Sequence, residues 1–149
     1  MLIVFAGGGQ SQLEMWDPKP DAPEIVRGEF GAIRTPVPGT FLGEHTPRIA
    51  ALADRYTILR SMSHEDLDHG SATYLALTGH YHRQRSGNPP ASPDDRPTFG
   101  SMLTRVRPTD RFAHTAVHLN APLFSPRVPA PGQFAGLLGR EFEPLQVGD

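Results

Sequence analysis

The chain has 149 residues, 38% apolar and 20% charged, enough apolar content for a folded core rather than a disordered polymer. Its 14 basic and 16 acidic residues leave a formal net charge of −2, which argues against a nucleic-acid or membrane-surface binder driven by charge. Cysteine is absent, so disulfides, thiolate metal sites and a thiol nucleophile are excluded.

Glycine (15) and proline (16) supply about a fifth of the chain, against roughly 12% in average usage. Much of the chain is therefore turn and loop, with function expected on loops held by a small frame. The first element is the apolar run Met1–Ala6, stopped by Gly7, Gly8 and Gly9. It reads as a strand buried on both faces, as in a parallel sheet. It is too short to span a bilayer and lacks the basic start and long apolar stretch of a signal peptide. A buried strand at residue 1 predicts that the chain is a fragment.

Residues 17–47 carry six prolines and four glycines and read as extended loop with a short hairpin. Thr46 and Pro47 then open a helix as N-cap and first helical residue. Ile49, Leu52, Ala53 and Tyr56 follow at helical spacing. Thr57–Leu59 predicts a second strand, and residues 71–77 a second helix ended by Gly79. The proline-rich stretch 82–97 is a surface loop. A third helix is predicted over residues 98–105, with Phe99, Met102, Leu103 and Val106 on its apolar face. Residues 115–119 predict a third strand, and residues 134–138 a last helical turn. This order is α/β.

Four of the seven histidines, His64, His69, His80 and His82, fall within one short stretch together with Glu65, Asp66 and Asp68. Mixed imidazole and carboxylate suits a divalent metal and acid–base chemistry near neutral pH. The stretch follows a predicted strand, where ligands gather in open α/β sheets. His64, Asp68 and His69 are candidate metal ligands, against a solvated polar loop. His80 and His82 are candidates too, or caps of the helix end. His45, His114 and His118 read as structural or exposed. Ser71 is either the N-cap of the second helix or a nucleophile. Asp17 could ligate a metal or form a turn before Pro18. Gly8, Gly9 and Ser11, after the first strand, could offer amides to an anion or simply make a tight turn. They are not a dinucleotide fingerprint, and they are not a Walker loop, which needs a glycine–lysine pair.

Several stretches together resemble a known family. Gly8-Gly-Gln-Ser-Gln-Leu-Glu-Met-Trp-Asp-Pro-Lys-Pro20 looks like its opening signature. Arg27-Gly-Glu-Phe30, Thr35-Pro-Val-Pro-Gly39, Glu44-His-Thr-Pro-Arg48, Arg60-Ser-Met62 and Pro131-Gly-Gln-Phe-Ala-Gly-Leu-Leu-Gly139 follow in the family's order. The family is domain-of-unknown-function 1501, common in planctomycete-like bacteria, within the alkaline phosphatase and sulfatase superfamily. Thr46-Pro-Arg-Ile-Ala-Ala-Leu-Ala53 is similar to the sulfatase threonine–proline helix, and Leu77-Thr-Gly-His-Tyr81 to the end of its nucleophile helix.

The resemblance implies a partial alkaline-phosphatase/sulfatase-like parallel sheet with flanking helices, a divalent metal, and an exported or periplasmic location. It implies that residues 1–149 are the N-terminal part of a single larger domain. It also shows departures. The nucleophile position falls on His69, the arginine that follows it on Thr73, and the paired aspartates of the first strand near Gly7, Gly8 and Gly9. Two functions are expected from different classes. One is a metal-dependent hydrolase of sulfate or phosphate esters, small-molecule or glycan. It would use His64, Asp68, His69 and Asp17 at the metal, His69 and Ser71 in catalysis, and Gly8, Gly9 and Ser11 for the anion. The other is a non-catalytic binding module on the same frame, for a sulfated glycan or an exported protein, or a fragment inactive alone. No nucleic-acid partner and no membrane span are expected.

Overall fold

A computed structural model describes residues 1–8 and 10–148. The chain is mixed α/β with short elements, and it divides into two compact units, residues 1–63 and 64–149. No helix among the described residues is long and apolar enough to cross a membrane.

The first unit is built on an antiparallel hairpin of β1 (Ala32–Arg34) and β2 (Phe41–Gly43), paired Ala32 to Gly43, Ile33 to Leu42 and Arg34 to Phe41. The connecting loop is held by Thr35, whose hydroxyl donates to the Thr40 carbonyl at 3.0 Å. Pro36 and Pro38 stiffen it, and Gly39 takes the positive φ of 76° that closes it. Leu42 is fully buried, and Ala50 and Ala53 are buried in the same unit. Helix α1 (Gln12–Met15) passes so close to β2 that a Cβ on Gly43 would overlap the Glu14 carbonyl. A further helical turn, α2 (Glu24–Arg27), was not legible among the prolines.

Three expectations need correction in this unit. Met1–Ala6 forms no strand, and Met1, Leu2 and Val4 stand fully or mostly exposed. A strand needs a partner's amides and carbonyls, and none of the described residues pairs with this run. Thr57–Leu59 is not a strand either, with Leu59 70% exposed. The helix after Thr46 stops early, as α3 (Pro47–Ala50) followed by a single 3₁₀ turn over Ala53–Arg55. The Ile49 carbonyl, which an α-helix would give to the Ala53 amide, accepts instead from the Leu52 amide at 3.0 Å and the Tyr56 hydroxyl at 2.8 Å. Thr46 does not cap with its side chain; its hydroxyl donates back to the Gly43 carbonyl at 2.8 Å.

The second unit is organised by α4 (His69–Thr78), ended as expected by Gly79 in the left-handed conformation. Its N-cap is Asp68, not Ser71. The buried positions of α4 are Gly70, Ser71, Tyr74 and Thr78, a small and polar face rather than an apolar stripe. Gly70 lets the Pro89 ring and the Asn88 backbone come close, and Gly132 lies against the Tyr74 backbone. Gln133 ties the neighbouring loop together: its amide accepts from the Leu123 amide at 2.6 Å and donates to the carbonyls of Leu123 and Ala130 at 2.9 and 2.8 Å.

Helix α5 (Phe99–Val106) lies one residue along from its predicted span, with Thr98 as N-cap, but its orientation is a correction. Ser101 is fully buried, whereas Phe99, Met102, Leu103 and Val106 are 36–77% exposed. Close approach decides the face: a Cβ on Gly100 would press on the Ala116 methyl. The third predicted strand appears as β3 (Val117–Leu119), paired in parallel with β4 (Leu145–Val147). The predicted last turn is 3₁₀ over Gly136–Leu138. On β3, partial burial pushes the His118 imidazole pKa down.

Candidate functional site

The sequence cluster around His64 folds into one compact loop at the start of α4. Two carboxylates organise it. Asp66 accepts from the Asp68 amide at 3.3 Å and from the Ser71 hydroxyl at 2.5 Å, both through Oδ1. Asp68 Oδ1 accepts from the amides of Gly70 and Ser71 at 3.0 and 3.1 Å, and its Oδ2 from the Asn88 amide at 2.9 Å. Asp68 is thus an N-cap that also pins a second loop. Its pKa is lowered, first by the Asn88 amide and then, against the opposing effect of burial, by the Ser71 and Gly70 amides.

That shift fixes a sign for the acid limb of stability. A carboxyl whose folded pKa lies below the unfolded value of about 3.9 contributes stability that is full above that value and is lost as pH falls through the folded one. Urea midpoints measured from pH 6 down to pH 3 should therefore fall for the wild-type chain. Asp68→Asn, which keeps an acceptor oxygen but cannot ionise, should show a shallower fall. Equal slopes would remove Asp68 as a source of the acid sensitivity.

Of the expected metal ligands and catalytic groups in this unit, the fold brings His64, Asp68, His69 and Ser71 into the one loop and helix start. His64 and His69 are exposed. The Nδ1 of His64 accepts from the Asp66 amide at 3.2 Å. Ser71 is fully buried, and in this conformation its hydroxyl meets carboxylates rather than solvent. Asp66 is the member whose importance the sequence did not single out. Its side chain has no exposure, and its Oδ2 has no hydrogen bond, with Arg85 Nε 3.7 Å away.

The remaining candidates belong to the first unit. Asp17 is buried and meets Lys19 Nζ at 2.7 Å and Arg60 Nε at 3.3 Å. Burial alone would raise its pKa. The hydrogen bond and charge of Lys19, the charge of Arg60 and a contact from Gln12 outweigh burial and lower it. Arg60 also donates to the carbonyls of Trp16 and Phe41 at 3.0 and 2.8 Å, so Asp17 sits in a scaffold knot rather than an open ligand position. Gly8 is exposed at φ 77°, and Ser11 precedes α1 without a side-chain cap. Gly9 lies outside the described residues.

A divalent ion tests poorly against these donors. Both oxygens of Asp68 are committed to amides, Asp17 is held between two cations, and the unpaired oxygen of Asp66 faces a guanidinium. No three imidazoles or carboxylates converge among the described residues. The donors present do not by themselves compose a metal site.

A separate feature lies beyond the C-terminal end of α4: a pocket of about 610 Å³. One wall is a His–Asp pair, with His82 Nε2 3.2 Å from Asp95 Oδ1. Asp95 Oδ2 accepts from the Ser92 amide at 2.9 Å, and its carbonyl from the Leu137 amide at 3.0 Å. The His82 ring meets Tyr74 edge-on at 4.8 Å. On its other side the ring places Nδ1 2.8 Å from the Gln84 carbonyl and 3.1 Å from the Gln84 amide, so both ring nitrogens have polar partners. The Tyr74 hydroxyl accepts from the Arg96 amide at 2.8 Å and donates to none of the described residues. On the rim, the Arg85 guanidinium lies 4.3 Å from the Tyr81 ring centroid. The sequence reading singled out His80 and His82 but not Asp95, Arg96 or Tyr74. Only the turn-forming Ser92-Pro-Asp-Asp95 stood as a local signal, and it pointed to a turn, not to His82.

The fold and its sites thus define a loop-rich mixed α/β protein with a carboxylate-capped helix and, past that helix's far end, a pocket of mixed polar and apolar lining. The family model described as "Protein of unknown function (DUF1501)" matches residues 1–149, and the chain belongs to that family. No curated protein and no solved structure matches it.

Proposed function

We propose that this chain acts as a ligand-binding module on a partial alkaline-phosphatase/sulfatase-like frame, in an exported protein, rather than as a self-contained hydrolase. The likeness of Thr46–Ala53 and Leu77–Tyr81 to sulfatase helices supports that frame. One observation carries the binding reading. The groups suited to catalysis at the start of α4 are engaged in capping, while the pocket past its other end keeps polar groups with spare valence.

A second reading, a metal-dependent hydrolase of sulfate or phosphate esters, is favoured by one contact. The Ser71 hydroxyl lies 2.5 Å from Asp66 Oδ1, a geometry in which the carboxylate could take the hydroxyl proton. Exposure of Ser71 to an ester would first require the helix start to open, because its side chain is buried.

One assay separates the two. The purified chain is dialysed with zinc or manganese, its metal content measured, and p-nitrophenyl sulfate and p-nitrophenyl phosphate supplied as substrates. The binding reading expects no stoichiometric metal and no turnover above the buffer rate. Bound metal together with turnover abolished by His69→Ala or Ser71→Ala would overturn it in favour of the hydrolase.

A further inference from the structure

We infer that the pocket beyond α4 is a binding site for an anionic saccharide, a sugar carrying a single carboxylate or sulfate. The inference rests on the binding reading above and names its ligand class. The lining determines the class by elimination. Arg83 and Arg96 are matched in number by Asp94 and Asp95, so the pocket carries no net formal charge apart from its histidines. A polyphosphate would bring several negative charges to a pocket with no net positive charge to balance them, whereas a single acid group can be met by the arginines. The apolar part of the wall comes from Pro89, Pro90 and Leu137 with the tyrosine rings, but it shares the pocket with four charged side chains that an extended apolar ligand would leave poorly solvated.

What remains suits a hydroxyl-rich ring with a modest charge. Asp94, exposed, accepts from sugar hydroxyls. The Tyr74 hydroxyl donates the proton that none of the described residues accepts. The Tyr81 ring offers a face for the apolar side of a pyranose, and the guanidiniums of Arg83 and Arg96 take the acid group. Asp95 is not spare, since it is bound to His82 and the Ser92 amide.

The Tyr81 platform has its own support. Arg85 lies over the Tyr81 ring and 3.7 Å from the buried, otherwise unpaired Asp66 Oδ2. The carboxylate at the start of α4 thereby lies within ion-pair distance of the arginine that stacks on the ring.

The experiment is an amide NMR titration of the whole chain with four probes: a sulfated disaccharide, an unsulfated uronate disaccharide, a neutral disaccharide and inorganic sulfate. The expected result is saturable shifts at Tyr81, Arg83, Ser92 and Arg96 with at least one acidic disaccharide. The neutral sugar and inorganic sulfate should bind at least about tenfold more weakly. Response to only one acidic disaccharide identifies which acid group is read. Arg83→Gln and Arg96→Gln should each weaken the acidic probe about tenfold, Arg83→Lys less, and the exposed Arg127→Gln not at all. Each variant's spectrum should stay as dispersed as wild type. Two results would overturn the inference: equal binding of the neutral sugar, or acidic-sugar shifts that avoid these residues or survive both glutamine substitutions. Free sulfate released from the sulfated probe would instead overturn the non-hydrolytic reading while leaving the pocket assignment standing.

Discussion

Asp66→Ala should destabilise the second unit by about 2 kcal/mol, read as a lower urea midpoint with an unchanged slope. Several effects compete in that figure. The substitution removes the 2.5 Å acceptor of a fully buried serine hydroxyl and the acceptor of the Asp68 amide. A buried donor left without a good partner costs about 1–3 kcal/mol. Ser71 retains contacts at 3.4 Å to Asp68, too long to replace what is lost. Against this, the unpaired Oδ2 leaves with the side chain, and its burial no longer has to be sustained. The Arg85 side chain is 41% exposed, so it stays solvated when its counter-ion goes and adds little. The hydroxyl and amide therefore dominate.

Two companions make that account specific. Asp66→Asn, which keeps an acceptor for Ser71, should cost less than Asp66→Ala. The double substitution Asp66→Ala with Ser71→Ala should cost less than the sum of the singles, because it removes donor and acceptor together. Strict additivity would show that the Ser71 contact contributes nothing, and the loop around Asp66 would need another explanation.

Legibility in the sequence followed how local each determinant was. Helix α4 was foreseen because glycine at its end and the residues of its own turns decide it. The span of α5 was foreseen as well, but its orientation was not. Spacing identifies an apolar face, whereas the buried face was set by how closely Gly100 and Ser101 approach their neighbours. The strands fared worst. Met1–Ala6 has the composition of a buried strand, but composition cannot supply a partner, and none of the described residues provides one. The three-residue strands that do form are too short to carry an alternation pattern, and their pairing is set by contacts remote in sequence.

The same distinction separates the two sites. His64, Asp68, His69 and Ser71 were legible as a cluster because they lie close together in the chain, but residue type did not say whether their acceptors would face ligands or amides. For Asp68, three amides answer that question. The pair His82–Asp95 spans a proline-rich loop, and nothing in either residue's neighbourhood announces the other. Chemistry assembled by loops escapes periodicity, which reports only on regular elements.

Gly136→Ala should be among the most damaging single changes in the second unit, at roughly 3 kcal/mol. Gly136 adopts φ 49°, and a Cβ there would overlap the Asp95 carbonyl, a backbone atom that cannot rotate aside. That carbonyl also accepts from the Leu137 amide at 3.0 Å, so relief of the overlap breaks the hydrogen bond that seats the turn. Backbone strain at positive φ for alanine accounts for about 1–2 kcal/mol of the total, and the overlap for the rest. For a chain of this length the loss corresponds to a fall in melting temperature of roughly 6–12 °C. Gly39→Ala provides the control, since Gly39 has φ 76° with open space around the missing Cβ. It should lose only the strain part, followed by a probe local to the first unit. Equal losses at both glycines would show that conformation alone sets the cost and that the Asp95 contact yields freely. The functional consequence extends the argument to the pocket. Displacing the Asp95 backbone displaces the carboxylate that holds His82 and the Ser92 amide, so Gly136→Ala should weaken saccharide binding even at temperatures where the chain remains folded. Retained affinity in a folded Gly136→Ala chain would mean that Asp95 does not shape the binding wall.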